Sequence, residues 1–170
     1  MPNANIKIEL DINIYFFIIL MASVDKIIEQ IWLGDKDSAK SKDFIKDNKI
    51  TIVINCSKNI KNYFEKDSNI EYYRVMVNDK LEDVDVVDMR GQIFSVIFYM
   101  YQKYQQGHNI LVHCRKGKQR SATVVTAFLS LLHPDKNISD LMEIVREKRS
   151  IVFNKGRSVN FIDVLTDVIV

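Results

Sequence analysis

Short apolar runs alternate with stretches of helical periodicity from about residue 25 to the end of the chain. Apolar runs bounded by polar residues predict buried strands, and apolar residues three and four positions apart predict helices. The predicted strands span residues 30–33, 51–55, 72–77 and 109–112. The predicted helices span residues 38–48, 86–106, 121–132, 139–148 and 158–168. This alternation indicates an α/β fold with a mostly parallel central sheet of four to five strands and helices on both faces.

The longest predicted helix, residues 86–106, places its apolar side chains at helical spacing, and Gly107 is a suitable C-terminal stop. The stretch from residue 80 to 88, which leads into this helix, is acidic and is predicted to form a loop.

The first 25 residues carry a different pattern. Residues 6–14 alternate apolar and polar side chains, which predicts a half-buried strand, and residues 14–22 are all apolar. A run of nine is too short to cross a bilayer as a helix, which needs about 20 residues, and Glu9 and Asp11 ahead of it argue against a signal peptide.

We therefore divide the chain into an apolar N-terminal extension, residues 1–25, and a single domain, residues 26–170. Apolar side chains at this density must be shielded from water. Three surfaces can shield them: the domain itself, a second copy in a homodimer paired through residues 1–25, or a membrane. A further alternative is that translation begins at Met21. Of these we favour the homodimer, because an alternating segment suits pairing with its symmetry mate.

Length, charge and cysteine content indicate which classes of protein the chain can belong to. The chain has 170 residues, 47% of them hydrophobic, a net charge of +2 and two cysteines. The length fits one domain, and the small net charge does not suggest a nucleic-acid partner. Two cysteines do not make a disulfide scaffold, so we expect an intracellular, reducing compartment, the cytoplasm in particular.

Residues 113–121, HCRKGKQRS, carry the strongest candidate chemistry. They lie between a predicted buried strand and a predicted apolar helix, where successive N–H groups and a helix N-terminus attract anions. Gly117 allows the tight backbone that such a loop needs, and Arg120 can offer two parallel donors to phosphate oxygens. The same positive field lowers the pKa of Cys114, which makes it a candidate nucleophile.

Cys-x5-Arg is the signature of the cysteine-dependent protein phosphatases, and HCRKGKQRSATVV, residues 113–125, resembles their dual-specificity branch. The resemblance extends over about residues 27–165. Residues 31–39 resemble the family's first strand and following turn, and residues 49–57 and 70–79 resemble its next two strands. It implies a phosphatase-type fold and makes residues 26–170 a dual-specificity phosphatase catalytic domain.

The resemblance also implies roles for individual residues. Cys114 would attack phosphorus and form a cysteinyl-phosphate, and Ser121 would donate a hydrogen bond to its sulfur as it leaves. His113 would support the loop from behind. Substrate phosphate would be bound by the loop and its arginine, that is by Arg115, Lys116, Gly117, Lys118, Gln119 and Arg120. Such chemistry needs no metal ion and no cofactor.

The family supplies its general acid as an aspartate about thirty residues ahead of the cysteine, after the third strand. Asp79 directly follows the predicted strand but lies 35 residues before Cys114, whereas Asp83 has the more usual separation of 31. We favour Asp79 and keep Asp83 as the alternative, with Asp85 third. Each could also be a solvated loop carboxylate, and Asp85 or Asp88 could cap the next helix.

Two further residues have structural interpretations. Cys56 ends a predicted buried strand and is expected to be a packed core thiol. Arg149 resembles an arginine that precedes the family's last helix and supports the structure, although a cation at a helix C-terminus explains it equally well.

The resemblance implies a phosphatase that acts on phosphotyrosine and on phosphoserine and phosphothreonine in proteins. The basic side chains of Arg115, Lys116 and Lys118 leave a second function open, a phosphatase of a polyanionic substrate such as a phosphoinositide or an RNA 5′-triphosphate. A non-catalytic phosphate-binding module is a third, less favoured because Cys114, Arg120 and Ser121 are all present.

Overall fold

A five-stranded sheet lies at the centre of the molecule, in the order β1-β2-β5-β3-β4. The computed structural model describes residues 23–80, 82–153 and 161–169. The strands are β1 Val24–Ile28, β2 Ile31–Gly34, β3 Ile50–Asn55, β4 Glu71–Arg74 and β5 Asn109–His113. Strands β1 and β2 pair antiparallel, and every other neighbouring pair is parallel. The predicted mostly parallel α/β architecture is therefore confirmed.

Helices cover both faces of this sheet. They are α1 Lys36–Lys40, α2 Lys42–Asp47, α3 Asp83–Arg90, α4 Ile93–Gln105, α5 Arg120–Leu132, α6 Ile138–Lys148 and α7 Ile162–Val168. Because successive strand residues point to opposite faces, Trp32 and Val53 pack on the side of α1 and α2. Their neighbours, such as Leu33 and Ile54, pack in the larger core on the other side. Within the described ranges, no helix is both long and apolar enough to cross a membrane.

The single helix predicted over residues 86–106 is wrong, because two helices meet at Gly91 and Gln92. Helix α3 also begins at Asp83, inside the stretch predicted to be a loop. The Gln92 side chain accepts a hydrogen bond from the Met76 N–H at 2.8 Å and donates one to the Asp88 carbonyl at 2.8 Å. The bond to Met76 holds the break between α3 and α4 against the segment that follows β4, and the bond to Asp88 fixes the Gln92 side chain on the end of α3.

The predicted helix 38–48 is likewise two short helices, α1 and α2, separated by Ser41. Its N–H donates to the last turn of α1, and its Oγ accepts from the Phe44 N–H at 3.2 Å. One serine therefore ends the first helix and caps the second, since serine competes well for backbone groups at helix ends.

The sheet begins earlier and β4 ends earlier than the sequence pattern suggests. Strand β1 was not predicted, and the boundary placed after residue 25 falls inside it, because Val24 and Asp25 pair with β2. Strand β4 ends at Arg74, although the Val75 N–H still bonds to the Asn55 carbonyl at 2.9 Å. The predictions for residues 1–22, and the first part of the helix predicted over 158–168, lie outside the described residues.

Candidate active site

The loop of residues 114–119 connects the central strand β5 to helix α5 at the carboxyl edge of the sheet. Parallel sheets place their ligand sites at this edge, where a strand turns into a helix. Gln119 precedes α5 and, within the described part of the chain, makes no side-chain cap bond to the first turn of the helix. The positive N-terminal end of α5 is thus left uncapped by Gln119 and favours an anion at this end of the loop.

The carbonyl oxygens of the loop accept hydrogen bonds from groups outside it. Because the N–H and C=O of a trans peptide point in opposite directions, this arrangement turns the N–H groups of residues 116–120 toward the inside of the loop. The bonds are Lys36 N–H to Arg115 O at 3.4 Å, Arg149 to Lys116 O at 3.3 Å and Gly117 O at 2.8 Å, Phe153 N–H to Lys118 O at 3.1 Å, and Thr123 N–H to Gln119 O at 2.7 Å.

Gly117 is the residue that this loop geometry requires. Its φ is +62°, in the left-handed region that side chains disfavour. A Cβ added here would lie 2.5 Å from the Gly34 carbonyl oxygen and 2.8 Å from Nη2 of Arg149. The loop therefore packs against β2 at a distance that only a glycine permits.

Arg149 lies behind the loop and is fully buried. Besides its bonds to the two loop carbonyls, its Nη1 donates to a carboxylate oxygen of Asp25 at 2.5 Å. The resemblance implied that Arg149 supports the structure. Its guanidinium joins β1, the loop and the end of α6. Asp25 gave no recognisable signal in the sequence, because its partner is 124 residues away.

The Cys114 thiol lies at the floor of the loop and is buried. The Ser121 hydroxyl donates a hydrogen bond to its Sγ at 3.2 Å. Burial alone raises the pKa of Cys114, but the positive charge of Arg120 and hydrogen bonds from Ser121 and the Lys116 N–H outweigh it, so that the pKa is lowered. A low pKa is what a thiolate nucleophile needs.

Arg120 is buried and connects the loop to the segment after β4. Its Nη1 donates to the Val77 carbonyl at 3.1 Å, and its Nη2 lies 3.4 Å from Oδ2 of Asp79. Its Nε is buried without a hydrogen-bond partner among the described residues. A buried donor of this kind is costly unless something accepts from it, and an oxyanion in the loop would do so.

A cavity of about 410 Å³ opens above the loop. Four of the side chains that line it are cationic and one is a carboxylate, so its charge suits an anionic ligand. The lining residues are Ser57, Asn59, Ile60, Asn78, Asp79, Lys80, Arg115, Lys116 and Arg120. In the described part of the chain, Gly117, Lys118 and Gln119 do not belong to this lining, although all three were predicted to bind substrate.

The structure separates the three candidate acids. Asp79 lines the cavity and faces Arg120. Asp83 is the exposed first residue of α3 and, among the described residues, is not part of the cavity wall. Asp85 is fully buried and accepts the Lys80 N–H at 2.9 Å, so it does not cap α3, where Glu82 holds the capping position.

One wall of the cavity depends on a residue that the sequence reading did not single out. The Nη1 of Arg74 donates to the Ser57 carbonyl at 2.7 Å and to the Ile60 carbonyl at 2.6 Å, and its Nη2 donates to Asn62 Oδ1 at 2.9 Å. Arg74 thereby fixes the loop after β3 that presents Ser57, Asn59 and Ile60 to the cavity. The sequence offers no signal for it beyond an arginine in a strand.

His113 and Cys56 are buried behind the loop. Burial lowers the pKa of His113 to about 4, so the imidazole is neutral near pH 7. Neither of its ring nitrogens has a hydrogen-bond partner in the described ranges. Cys56 is the packed core thiol that the sequence predicted. Burial, with a smaller contribution from Cys114, raises its pKa.

Comparisons with known proteins point to one family. A family model described as dual specificity phosphatase, catalytic domain, matches residues 31–167. Dual specificity protein phosphatase 1-A of Xenopus laevis is 30% identical over 127 residues, which are 75% of this chain and 32% of the relative. The chain thus spans about a third of the length of that relative.

Solved structures share the fold. The crystal structure of human DUSP28 superposes with a TM-score of 0.72 at 20% identity, covering 86% of this chain and 92% of the other. The crystal structure of PTPMT1 in complex with PI(5)P gives a TM-score of 0.69 at 20% identity and covers 85% and 93%. These likenesses confirm the predicted phosphatase-type fold.

Proposed function

Because the chain belongs to the dual specificity phosphatase family, as the match over residues 31–167 shows, we propose that it hydrolyses phosphotyrosine, phosphoserine and phosphothreonine in proteins through a cysteinyl-phosphate intermediate. The observation that carries the proposal is the Cys114 thiol, with its lowered pKa, at the floor of a loop whose N–H groups face inward beside Arg120. This arrangement provides a nucleophile and a binding site for three phosphate oxygens together.

In the first step the Cys114 thiolate attacks phosphorus and an S–P bond forms. The bond from phosphorus to the leaving oxygen breaks, and that oxygen takes a proton from the Asp79 carboxylic acid. Inward N–H groups of the loop and Arg120 hold the equatorial oxygens, whose charge must be stabilised in the transition state.

In the second step water attacks phosphorus and gives a proton to the Asp79 carboxylate. The S–P bond breaks, inorganic phosphate leaves and the thiolate is restored. The Ser121 hydroxyl, 3.2 Å from Sγ, stabilises the sulfur as it regains negative charge. Asp79 is therefore an acid in one step and a base in the other.

The assignment of Asp79 is tested by comparing Asp79→Asn with Asp83→Asn. We expect Asp79→Asn to lower kcat by about 10²–10⁴-fold for a substrate with a poor leaving group, because an amide cannot supply the proton. The loss should be smaller for aryl phosphates with good leaving groups, and the basic limb of the pH–rate profile should flatten. Asp83→Asn, at the exposed start of α3, should change kcat less than threefold. The reverse pattern would transfer the role to Asp83.

A second candidate function has an observation in its favour, since Lys80, Arg115 and Lys116 add positive charge around the cavity beyond what one phosphate needs. The substrate would then carry several phosphates, as a phosphoinositide or an RNA 5′-triphosphate does. We favour proteins, because the family model and the relative in Xenopus laevis describe dual specificity phosphatases.

Phosphate release from phosphopeptides, phosphoinositides and triphosphorylated RNA distinguishes the two functions. We expect peptides to be the best substrates, and Lys116→Ala to slow peptide hydrolysis only a few-fold, because an exposed cation contributes little to binding one phosphate. Lys118→Ala, in the same loop but outside the cavity lining, is the matched comparison. A loss above tenfold for Lys116→Ala alone, seen only with a polyphosphorylated substrate, would instead favour the second function.

A further inference from the structure

Asp85 is a buried carboxylate that the two catalytic steps do not use. Its side chain is fully buried, and its Oδ2 accepts the Lys80 N–H at 2.9 Å. Aspartate is seldom fully buried without a partner, because removing a carboxylate from water is costly. The bond to Lys80 is the one hydrogen bond that the Asp85 side chain makes among the described residues, because its Oδ1 is buried without a partner.

The direction of this bond is unusual for its place in the helix. Asp85 is the third residue of α3, after the N-cap Glu82. An acidic side chain at the third position commonly bonds to the N–H of the N-cap residue itself. Asp85 reaches five residues back instead, to a backbone group outside the helix. The bond therefore ties the segment before the helix to α3, and it does not complete the first turn of the helix itself.

The segment of residues 77–80, termed the acid loop, is held on both sides of Asp79. On one side Arg120 donates to the Val77 carbonyl at 3.1 Å, and on the other Asp85 accepts from the residue that follows Asp79. We propose that Asp85 is a positioning residue that orients the Asp79 carboxyl toward the leaving oxygen, an inference that rests on the proposed function.

The consequence for rate follows from geometry. A displacement of about 1 Å at a reacting group can cost about 10²-fold in rate. Without Asp85 the acid loop keeps its anchor at Val77 but loses the one next to Asp79. We expect Asp85→Leu, which keeps the shape of the side chain but removes the acceptor, to lower kcat about 10–100-fold for poor leaving groups. KM and the affinity for tungstate should stay within threefold, since Cys114 and the loop are untouched.

Four variants of the full chain test this inference. Asp85→Leu removes the acceptor, and Asp85→Asn keeps an oxygen that can accept the Lys80 N–H. Asp140→Leu, at the third position of α6 and exposed, controls for loss of a carboxylate near a helix N-terminus. The double variant Asp79→Asn/Asp85→Leu shows whether Asp85 acts through Asp79. Thermal unfolding is measured for each, and Asp85→Ala replaces Asp85→Leu if the latter does not fold.

The expected result has three parts. Asp85→Leu shows a loss that shrinks as the leaving group improves, together with a flattened basic limb of the pH–rate profile. Asp85→Asn recovers most of kcat even if its melting temperature is reduced, which a purely structural role would not allow. The double variant is no slower than Asp79→Asn alone.

Other outcomes overturn the inference in distinguishable ways. Suppose that the loss in Asp79→Asn depends on the leaving group. If Asp85→Leu then loses activity equally on all substrates, or if the double variant is slower than Asp79→Asn alone, Asp85 does not act through the acid. If Asp79→Asn shows no leaving-group dependence at all, the assignment of the acid fails, and the role of Asp85 fails with it.

Discussion

Replacing Cys114 with serine is expected to abolish turnover while the fold and oxyanion binding persist. A serine hydroxyl stays protonated at neutral pH and needs a neighbouring base to attack. The nearest imidazole, that of His113, is buried behind the loop. We expect kcat for an aryl phosphate to fall by 10⁴-fold or more, on the order of losses seen when other enzymes lose their nucleophile.

Two measurements separate loss of the nucleophile from loss of structure. Titration calorimetry with tungstate should give Cys114→Ser an affinity within about tenfold of the wild type, because Arg120 and the inward N–H groups remain. Cys56→Ala, which removes the other buried thiol, should keep wild-type turnover. Activity above background in Cys114→Ser would exclude a cysteinyl-phosphate intermediate.

The second large effect is expected for Arg120→Lys. The guanidinium bonds to the Val77 carbonyl through one nitrogen, faces Asp79 with another and keeps Nε for the ligand. A lysine ammonium is a single point of charge and cannot occupy these three directions together. Loss of one oxyanion donor costs about 10²–10³-fold. Because the acid loop also loses its anchor at Val77, we expect kcat to fall by at least about 10³-fold.

Tungstate affinity should fall together with kcat in Arg120→Lys, in contrast to Cys114→Ser. The positive charge near Cys114 is retained, so the thiolate should still form at neutral pH, as the pH dependence of iodoacetamide labelling would report. Arg146→Lys, on the surface of α6, is the matched substitution and should leave kcat unchanged. Retention of more than a tenth of wild-type kcat in Arg120→Lys would mean that charge alone, without the geometry of the guanidinium, holds the phosphate.

Much of the architecture could be predicted because it depends on local pattern. The strands predicted over residues 30–33, 51–55 and 109–112 correspond to β2, β3 and β5. All three lie in the interior of the sheet, and strands that are buried on both faces have nearly continuous apolar sequences. Helices α5 and α6 follow their predicted ranges closely for a similar reason: α5 is buried on all sides over residues 120–129, and α6 buries one apolar face.

The predictions of helices and strands were wrong where tertiary contacts set the ends of an element. The break between α3 and α4 depends on the Gln92 side chain bonding to Met76, a residue in another part of the chain. Strand β1 was not predicted because it has no continuous apolar run: Asp25 and Lys26 lie between apolar residues. It is an edge strand and pairs only with β2.

The residue types at the site, and the order of the elements that carry them, can be read from the amino-acid sequence alone. Cys114, Arg120 and Ser121 share one strand–loop–helix unit, so their proximity follows from local geometry. Three features became visible in the folded molecule. Asp79 is the aspartate that reaches the cavity, Lys118 lies outside the described lining, and Arg74, Asp85 and Arg149 bond to the segments around it. Hydrogen bonds between distant segments depend on how strands and helices pack, and the residues that flank each partner in the sequence do not determine that packing.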